Sequence, residues 1–215
     1  MDYNNKAGDY FNHERPEMLA FLPEGCKRVL DIGCGEGTFI KQVKDKYKTE
    51  TWGIELMEKP GKEAEKVLDK VFIGPCENFI EELPDNYFDV IYCNDVLEHL
   101  VDPYSVLGII KNKLSKNGVV ISSIPNIRYH YAFKKIILQK KFEYEGHGIF
   151  DKTHMRFFTK SSIAKMYADQ GYTVLSHKGV NRTRSLKPYL YNIPFFFTAM
   201  DMFYLQYATV AKKSD

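Results

Sequence analysis

Along this chain, short apolar runs that end in glycine or polar residues alternate with stretches whose apolar positions recur at helical spacing. Lys27–Ile32 (KRVLDI) reads as a buried strand, and Phe39, Ile40, Val43 and Tyr47 follow on one helix face. Thr51–Leu56 is a second strand, Lys59–Leu68 a charged helix, and Val71–Ile73 a short third strand. Phe88–Asn94 (FDVIYCN) is nearly continuously apolar, which predicts a strand covered on both faces of a parallel sheet. Pro103 opens a helix bearing Val106, Leu107, Ile110 and Leu114, since proline in a first turn costs no hydrogen bond. Asn117–Gly118 then turns the chain into Val119–Ile124, a fifth strand. Arg128–Lys141 reads as a basic helix and Phe142–Phe158 as an irregular loop. Thr159 caps a helix over Lys160–Gln170, and Gly171 stops it. Tyr172–Ser176 and Tyr207–Lys212 supply two closing strands.

Alternating βα units require right-handed crossovers, so the fold class is α/β: a Rossmann-like, doubly wound, mostly parallel sheet. Ligands bind such sheets beyond the carboxyl ends of the strands, and the informative residues of this chain follow its strands. Gly33, Gly35 and Gly37 lie between the first strand and the first helix, where backbone can approach a ligand closely. Glu55 ends the second strand and suits the two hydroxyls of a ribose. The spacing is G-x-G-x-G, with Thr38 where a dinucleotide fingerprint has its third glycine. Asp31 precedes the glycines; its carboxylate repels a pyrophosphate and attracts an ammonium group.

The segment VLDIGCGEGTF resembles the first motif of class I S-adenosylmethionine-dependent methyltransferases. The resemblance continues through WGIEL, LPDNYFDVIYCNDVLEHL and LSKNGVVISSIPN, and covers roughly Arg28 to Lys212. It implies a seven-stranded sheet whose last strand is antiparallel, with S-adenosylmethionine as cofactor. Carried over by position, Asp31, Gly33, Cys34 and Gly35 would meet its amino-acid part, Glu55 its ribose, and Leu56 and Met57 its adenine. Asn94, Asp95 and Val96 would lie beneath the methyl end. Many relatives have an acidic residue after the third strand. Here Pro75 stands there, which leaves Cys76, Glu77 or Asn78 to hold the adenine edge.

An oxygen acceptor must lose a proton as it takes the methyl group, which calls for a base near the strand ends. His99 follows the fourth strand, and the pattern DKTHMRFFT resembles a subgroup of methyltransferases often found with surface-polysaccharide genes. His154 is the first candidate base, with Asp151 orienting it and Arg156 binding or bracing; structural roles for His99 and for this loop are the competing readings. Ser123, Asn126, Arg128, Tyr129 and His147 are expected to line the acceptor pocket. Arg128, Lys134, Lys135, Lys140 and Lys141 form a basic stripe, read first as a solvated helix face and second as a contact for a phosphate-bearing acceptor such as a nucleotide sugar.

The expected activity is therefore methyl transfer to a sugar hydroxyl or similar small polar acceptor. A small aromatic or quinone-like acceptor, or a cofactor-binding module without turnover, is the alternative. A dehydrogenase is the least supported reading. Net charge is +2, from 30 basic and 28 acidic residues, which argues against a dedicated nucleic-acid binder. The four cysteines form no C-x-x-C pair and no metal cluster is visible, so no metal is assigned. Met1–Pro16 is polar, without the apolar stretch of a secretory signal, and the cytoplasm is the expected compartment. One domain is expected over 1–215, with a lid helix within 1–24 and substrate-side or interface insertions at 142–158 and 181–206. Tyr189–Ala211 holds eight aromatic residues and one charge, but Asn192, Pro194, Asp201 and Gln206 interrupt it as a membrane span. It is expected to cover the pocket, form a homodimer contact, or touch a membrane surface.

Overall fold

The computed structural model describes residues 14–214. Seven strands form one sheet in the order β3-β2-β1-β4-β5-β7-β6. They are β1 Arg28–Ile32, β2 Glu50–Glu55, β3 Lys70–Ile73, β4 Phe88–Asn94, β5 Leu114–Pro125, β6 Tyr172–Arg182 and β7 Tyr204–Lys213. The strands from β3 to β5 pair in parallel, whereas β7 runs antiparallel to both β5 and β6. This is the expected Rossmann-like sheet with its antiparallel last strand.

Side chains alternate between two apolar layers, as the period of a strand dictates. Val29, Val90, Tyr92 and Ile121 pack with Phe39, Ile40 and Val43 of helix α2 (Thr38–Tyr47) and Ala64 of α3 (Glu58–Ala64). A short helix, α1 (Pro16–Leu19), adds Met18 to this layer. Leu30, Ile91 and Val120 pack with Leu107 and Ile110 of α4 (Pro103–Lys113), on the opposite face. There α6 (Lys160–Asp169) adds Ile163, Met166 and Tyr167. Asp102 caps α4 by accepting from Tyr104 N–H and Ser105 N–H, and Thr159 caps α6 by accepting from Ser162 N–H, each satisfying an orphan donor of the first turn.

Three expected elements differ. The turn at Asn117–Gly118 is a bulge inside β5: Phe88 pairs with Leu114 and Val90 with Val119, so the intervening residues loop out. The basic helix over 128–141 is a four-residue α5 (His130–Phe133) followed by a wide π-type turn at Lys134–Leu138. The outer half of β6 continues to Arg182 instead of ending at Ser176. β6 is an edge strand, so its polar residues His177, Lys178 and Asn181 carry no apolar signature. Gly179 opposes Tyr207 there, and the Tyr204 ring occupies the space a Cβ on Gly179 would fill. The connection from β6 to β7 is consequently shorter than the expected 181–206 and contains α7 (Lys187–Asn192).

Candidate active site

The strand order reverses between β1 and β4, and a cleft of about 480 Å³ opens beyond their carboxyl ends. Glu55 organises its floor. The carboxylate is buried; Oε2 accepts from Gly35 N–H at 2.8 Å and Oε1 from Met57 N–H at 2.9 Å. Burial raises its pKa, and the backbone donors of Met57, Gly35 and Leu56 oppose that rise. Gly33 N–H donates to Ile54 carbonyl at 2.7 Å, which ties the glycine loop to β2. Gly33 has φ +78°, and a Cβ there would lie 2.4 Å from Val96 Cγ2, so the position requires glycine twice over.

Leu56 and Met57 form one wall of the cleft, Cys76 and Glu77 another, and Asp95 and Val96 the end nearest β4. Cys34 lies elsewhere: its backbone N–H joins the loop by donating to Ile54 carbonyl, but its sulfur packs over Gly53 in the core. The Cys76 thiol is pushed up to about 12 by burial and by Glu77, and acts as a neutral group.

Asp31 and Asn94 are buried polar side chains at these strand ends, and Asp31 Oδ1 and both polar atoms of the Asn94 amide have no hydrogen-bond partner among the described residues. Such groups are costly unless a ligand completes them. Burial raises Asp31 to about 8, with Arg15 opposing and Glu55 reinforcing. A buried carboxylate with an orphaned oxygen beside a glycine loop fits the ammonium of the methionine moiety. Glu55, at the neighbouring strand end, fits ribose hydroxyls.

Arg15 was not anticipated individually. Its guanidinium lies 2.6 Å from Asp95 Oδ2, and burial, which lowers its pKa, is outweighed by Asp95 and Asp31. Asp95, at φ +53°, also receives the amide of Gln206 from β7 and the hydroxyl of Ser123. The rest of the expected lid, residues 1–13, lies outside the described residues.

Beside the cleft is a smaller cavity of about 120 Å³, walled by Glu98, Asp151 and His154. His99 stands in the wall of both. Its Nδ1 lies 3.0 Å from Thr153 carbonyl, and burial followed by His154 lowers its pKa to about 4, so the ring is neutral near pH 7. Burial, reinforced by Asp95, holds the Glu98 carboxyl well above the usual range. Asp151 and His154 share this cavity wall; Ile149 carbonyl holds His154 Nδ1 at 2.9 Å, and Asp151 Oδ1 accepts from Thr153 N–H and Oγ1–H.

The expected acceptor residues divide. Asn126 is fully buried and saturated: it donates to the Asp201 and Tyr204 carbonyls and accepts from Arg128 N–H. Arg128 pairs with Asp201 at 2.5 Å, and Arg156 donates to Val101 carbonyl at 2.6 Å. These three side chains tie separate segments together. Tyr129 packs in a separate small core with Ile149 and Phe150, and His147 is exposed outside both cavities. The basic stripe is partly neutralised, Lys135 by Glu145 and Arg128 by Asp201. Among the described residues no helix is long and apolar enough to cross a membrane.

A family described as a methyltransferase domain matches residues 3–177, and the chain belongs to that family. An uncharacterized protein of Haemophilus influenzae is 35% identical over 120 residues, covering 51% of this chain and 47% of its own. A ubiquinone biosynthesis O-methyltransferase of Aliivibrio fischeri is 29% identical over 162 residues, covering 72% of this chain and 66% of its own. The chain spans about half to two thirds of the length of the curated relatives it matches. Among solved structures, a SAM dependent methyltransferase from Archaeoglobus fulgidus superposes with TM-score 0.63 at 20% identity, covering 88% of this chain and 87% of that one. A possible histamine N-methyltransferase from Thermotoga maritima gives TM-score 0.64 at 19% identity, covering 92% and 87%. With the family and the fold agreeing, S-adenosylmethionine is the expected cofactor, and the cleft residues fit it.

Proposed function

We propose that the protein methylates a hydroxyl oxygen of a small cyclic acceptor, with a phenolic or quinol-like ring as the preferred substrate class. The observation that carries this reading is the position of His99, shared by the cofactor cleft and the cavity that contains Asp151 and His154. S-adenosylmethionine supplies an electrophilic methyl group whose leaving group is already good. The chain's part is to align the acceptor oxygen, exclude water and receive the hydroxyl proton. Asp151 and His154 face the acceptor side and are the groups suited to the proton.

Segment 142–158 walls the acceptor side in this reading, through the Asp151 and His154 it contributes. The β6–β7 connection carries exposed Leu186, Leu190, Ile193 and Phe196, and the strand it enters lends Leu205 and Gln206 to the acceptor cavity. Such an apolar ridge suits an acceptor with an apolar tail better than a free sugar. The ubiquinone biosynthesis O-methyltransferases among the relatives favour the same choice over the sugar hydroxyl expected from sequence.

The test is transfer of labelled methyl from S-adenosylmethionine to short-tailed quinols, catechols, sugars and nucleotide sugars, with product structures by mass spectrometry. An O-methyl ether on the ring acceptors is expected. Transfer to nitrogen or carbon alone, or tight cofactor binding with no turnover on any hydroxyl, overturns the reading.

A further inference from the structure

Glu98 lies in a short turn, Leu97–His99, directly after β4. Its side chain is 1% exposed, and neither carboxylate oxygen has a hydrogen-bond partner among the described residues. A carboxylate placed this deep without donors loses its hydration and gains nothing in exchange unless a cation or a proton completes it. The acidic groups Asp95 and Asp151 face the same cavity, and no lysine or arginine lines it among the described residues. Arg15, the nearby cation, is engaged with Asp95.

The two histidines beside Glu98 are both held by the same device. His99 Nδ1 lies 3.0 Å from Thr153 carbonyl and His154 Nδ1 lies 2.9 Å from Ile149 carbonyl. A carbonyl can only accept, so each Nδ1 carries the proton and each Nε2 carries the lone pair. Fixing the tautomer through a backbone carbonyl on the far nitrogen is what metal-binding histidines require. The anchoring segment is itself tied to the Glu98 turn, since Met155 N–H and Arg156 N–H both donate to Glu98 carbonyl.

One ligand atom from each of Glu98, His99 and His154 lies within 4.8 Å of the others, and His154 Nε2 is 4.0 Å from Glu98 Oε1. Ligands about 2.0–2.1 Å from a tetrahedral ion stand about 3.3 Å apart, so small side-chain rotations close the set. Two imidazoles and one carboxylate, with a further position open to the cavity, suit a divalent transition ion such as zinc.

We infer that Glu98, His99 and His154 form a divalent-metal site whose open position takes the acceptor hydroxyl. A hydroxyl held there would be more acidic; its proton would pass to Asp151, since the ion occupies the His154 lone pair, and its oxygen would bond to the methyl carbon as the carbon–sulfur bond breaks and S-adenosylhomocysteine leaves. This rests on the proposed O-methyl transfer for its role, but the binding stands on the three side chains alone.

Untagged protein, stripped with chelator, is titrated with Zn2+ by calorimetry and with Co2+ by visible absorption. One equivalent binds, with the absorption of a four- or five-coordinate ion, and Glu98→Gln and His154→Ala each weaken binding by about a hundredfold. His177→Ala, on β6 where the ring bonds Thr209 and Lys160, serves as control and binds like the parent. Circular-dichroism melts confirm that the variants are folded. Absence of stoichiometric binding, or equal affinity in Glu98→Gln, His154→Ala and the control, overturns the site. Stoichiometric metal with no methyl transfer to any hydroxyl leaves the site standing and removes the proposed reaction instead.

Discussion

Replacing Asp31 by asparagine keeps the side chain's shape and removes its charge, so it isolates the electrostatic content of the cofactor cleft. Burial, with Arg15 opposing and Glu55 reinforcing, raises this carboxyl from 3.8 to about 8. A folded pKa above the unfolded one means the folded chain holds the proton more tightly. That contribution is complete below the unfolded pKa and is lost as the pH climbs through about 8. By pH 7 about three pH units have been crossed, each equivalent to about 1.36 kcal/mol, which sets a ceiling of about 4 kcal/mol. Asp31→Asn is spared this loss, so without ligand it should be more stable than the parent at pH 7 and no more stable at pH 4. Cofactor binding should show the opposite trend. An ammonium group selects the ionised carboxylate, so affinity for S-adenosylhomocysteine rises about tenfold per unit between pH 6 and 7 and levels near pH 8. At pH 8 the variant should bind about thirtyfold more weakly, the equivalent of about 2 kcal/mol for a charged hydrogen bond. Calorimetry in buffers of different ionisation enthalpy reads both affinity and proton release, and urea melts at several pH values read stability. A parent affinity independent of pH, together with a destabilised variant at pH 7, would refute the reasoning.

Three further outcomes follow from the same site. Glu55→Ala should weaken S-adenosylhomocysteine binding by about 1–3 kcal/mol, since ribose contacts and the anchor of Gly35 go together; unchanged calorimetric affinity would contradict the assignment. Gly33→Ala should lower the urea midpoint by the equivalent of about 1–3 kcal/mol through overlap with Val96, and the double variant Gly33→Ala/Val96→Ala should recover part of that loss but not the part due to φ +78°. Asn126→Ala should cost about 2–3 kcal/mol of stability by orphaning the carbonyls of Asp201 and Tyr204. Its KM for the acceptor should stay unchanged at temperatures well below the melt; a raised KM with unaltered stability would make Asn126 an acceptor ligand.

The central strands and the glycine loop were legible because each announces itself locally. Continuous apolar runs such as Phe88–Asn94 have no alternative to burial on both faces, and the glycines sit where a strand must hand over to a helix. The loop residues Gly33 and Gly35 and the carboxylate of Glu55 indeed meet through a hydrogen-bonded floor. What the chain did not disclose depends on partners far away in sequence. Arg15 reaches Asp95 and Gln206 reaches the same carboxylate from the last strand. Neither leaves a period or a spacing to read. The contacts of Asn126 and Arg128 are hidden for the same reason: a polar residue after a strand signals a site equally well whether its partner is a substrate or a carbonyl or carboxylate more than seventy positions on. Glu98 and His99 were visible as a pair, but only the return of segment 142–158 brings His154 against them.

The junction at Asp95 ties the competence of the cleft to the order in which the polypeptide is made. One of its braces, Arg15, precedes it in the chain and is made before β1, whereas Gln206 lies 111 positions beyond the carboxylate it holds. A nascent chain that has emerged only through β5 would carry every glycine and acid of the nucleotide cradle, yet leave this corner unbraced. Capture of the methyl donor should therefore tighten late, when β7 slots between β5 and β6, so that assembly of the sheet and readiness for chemistry arrive as one event.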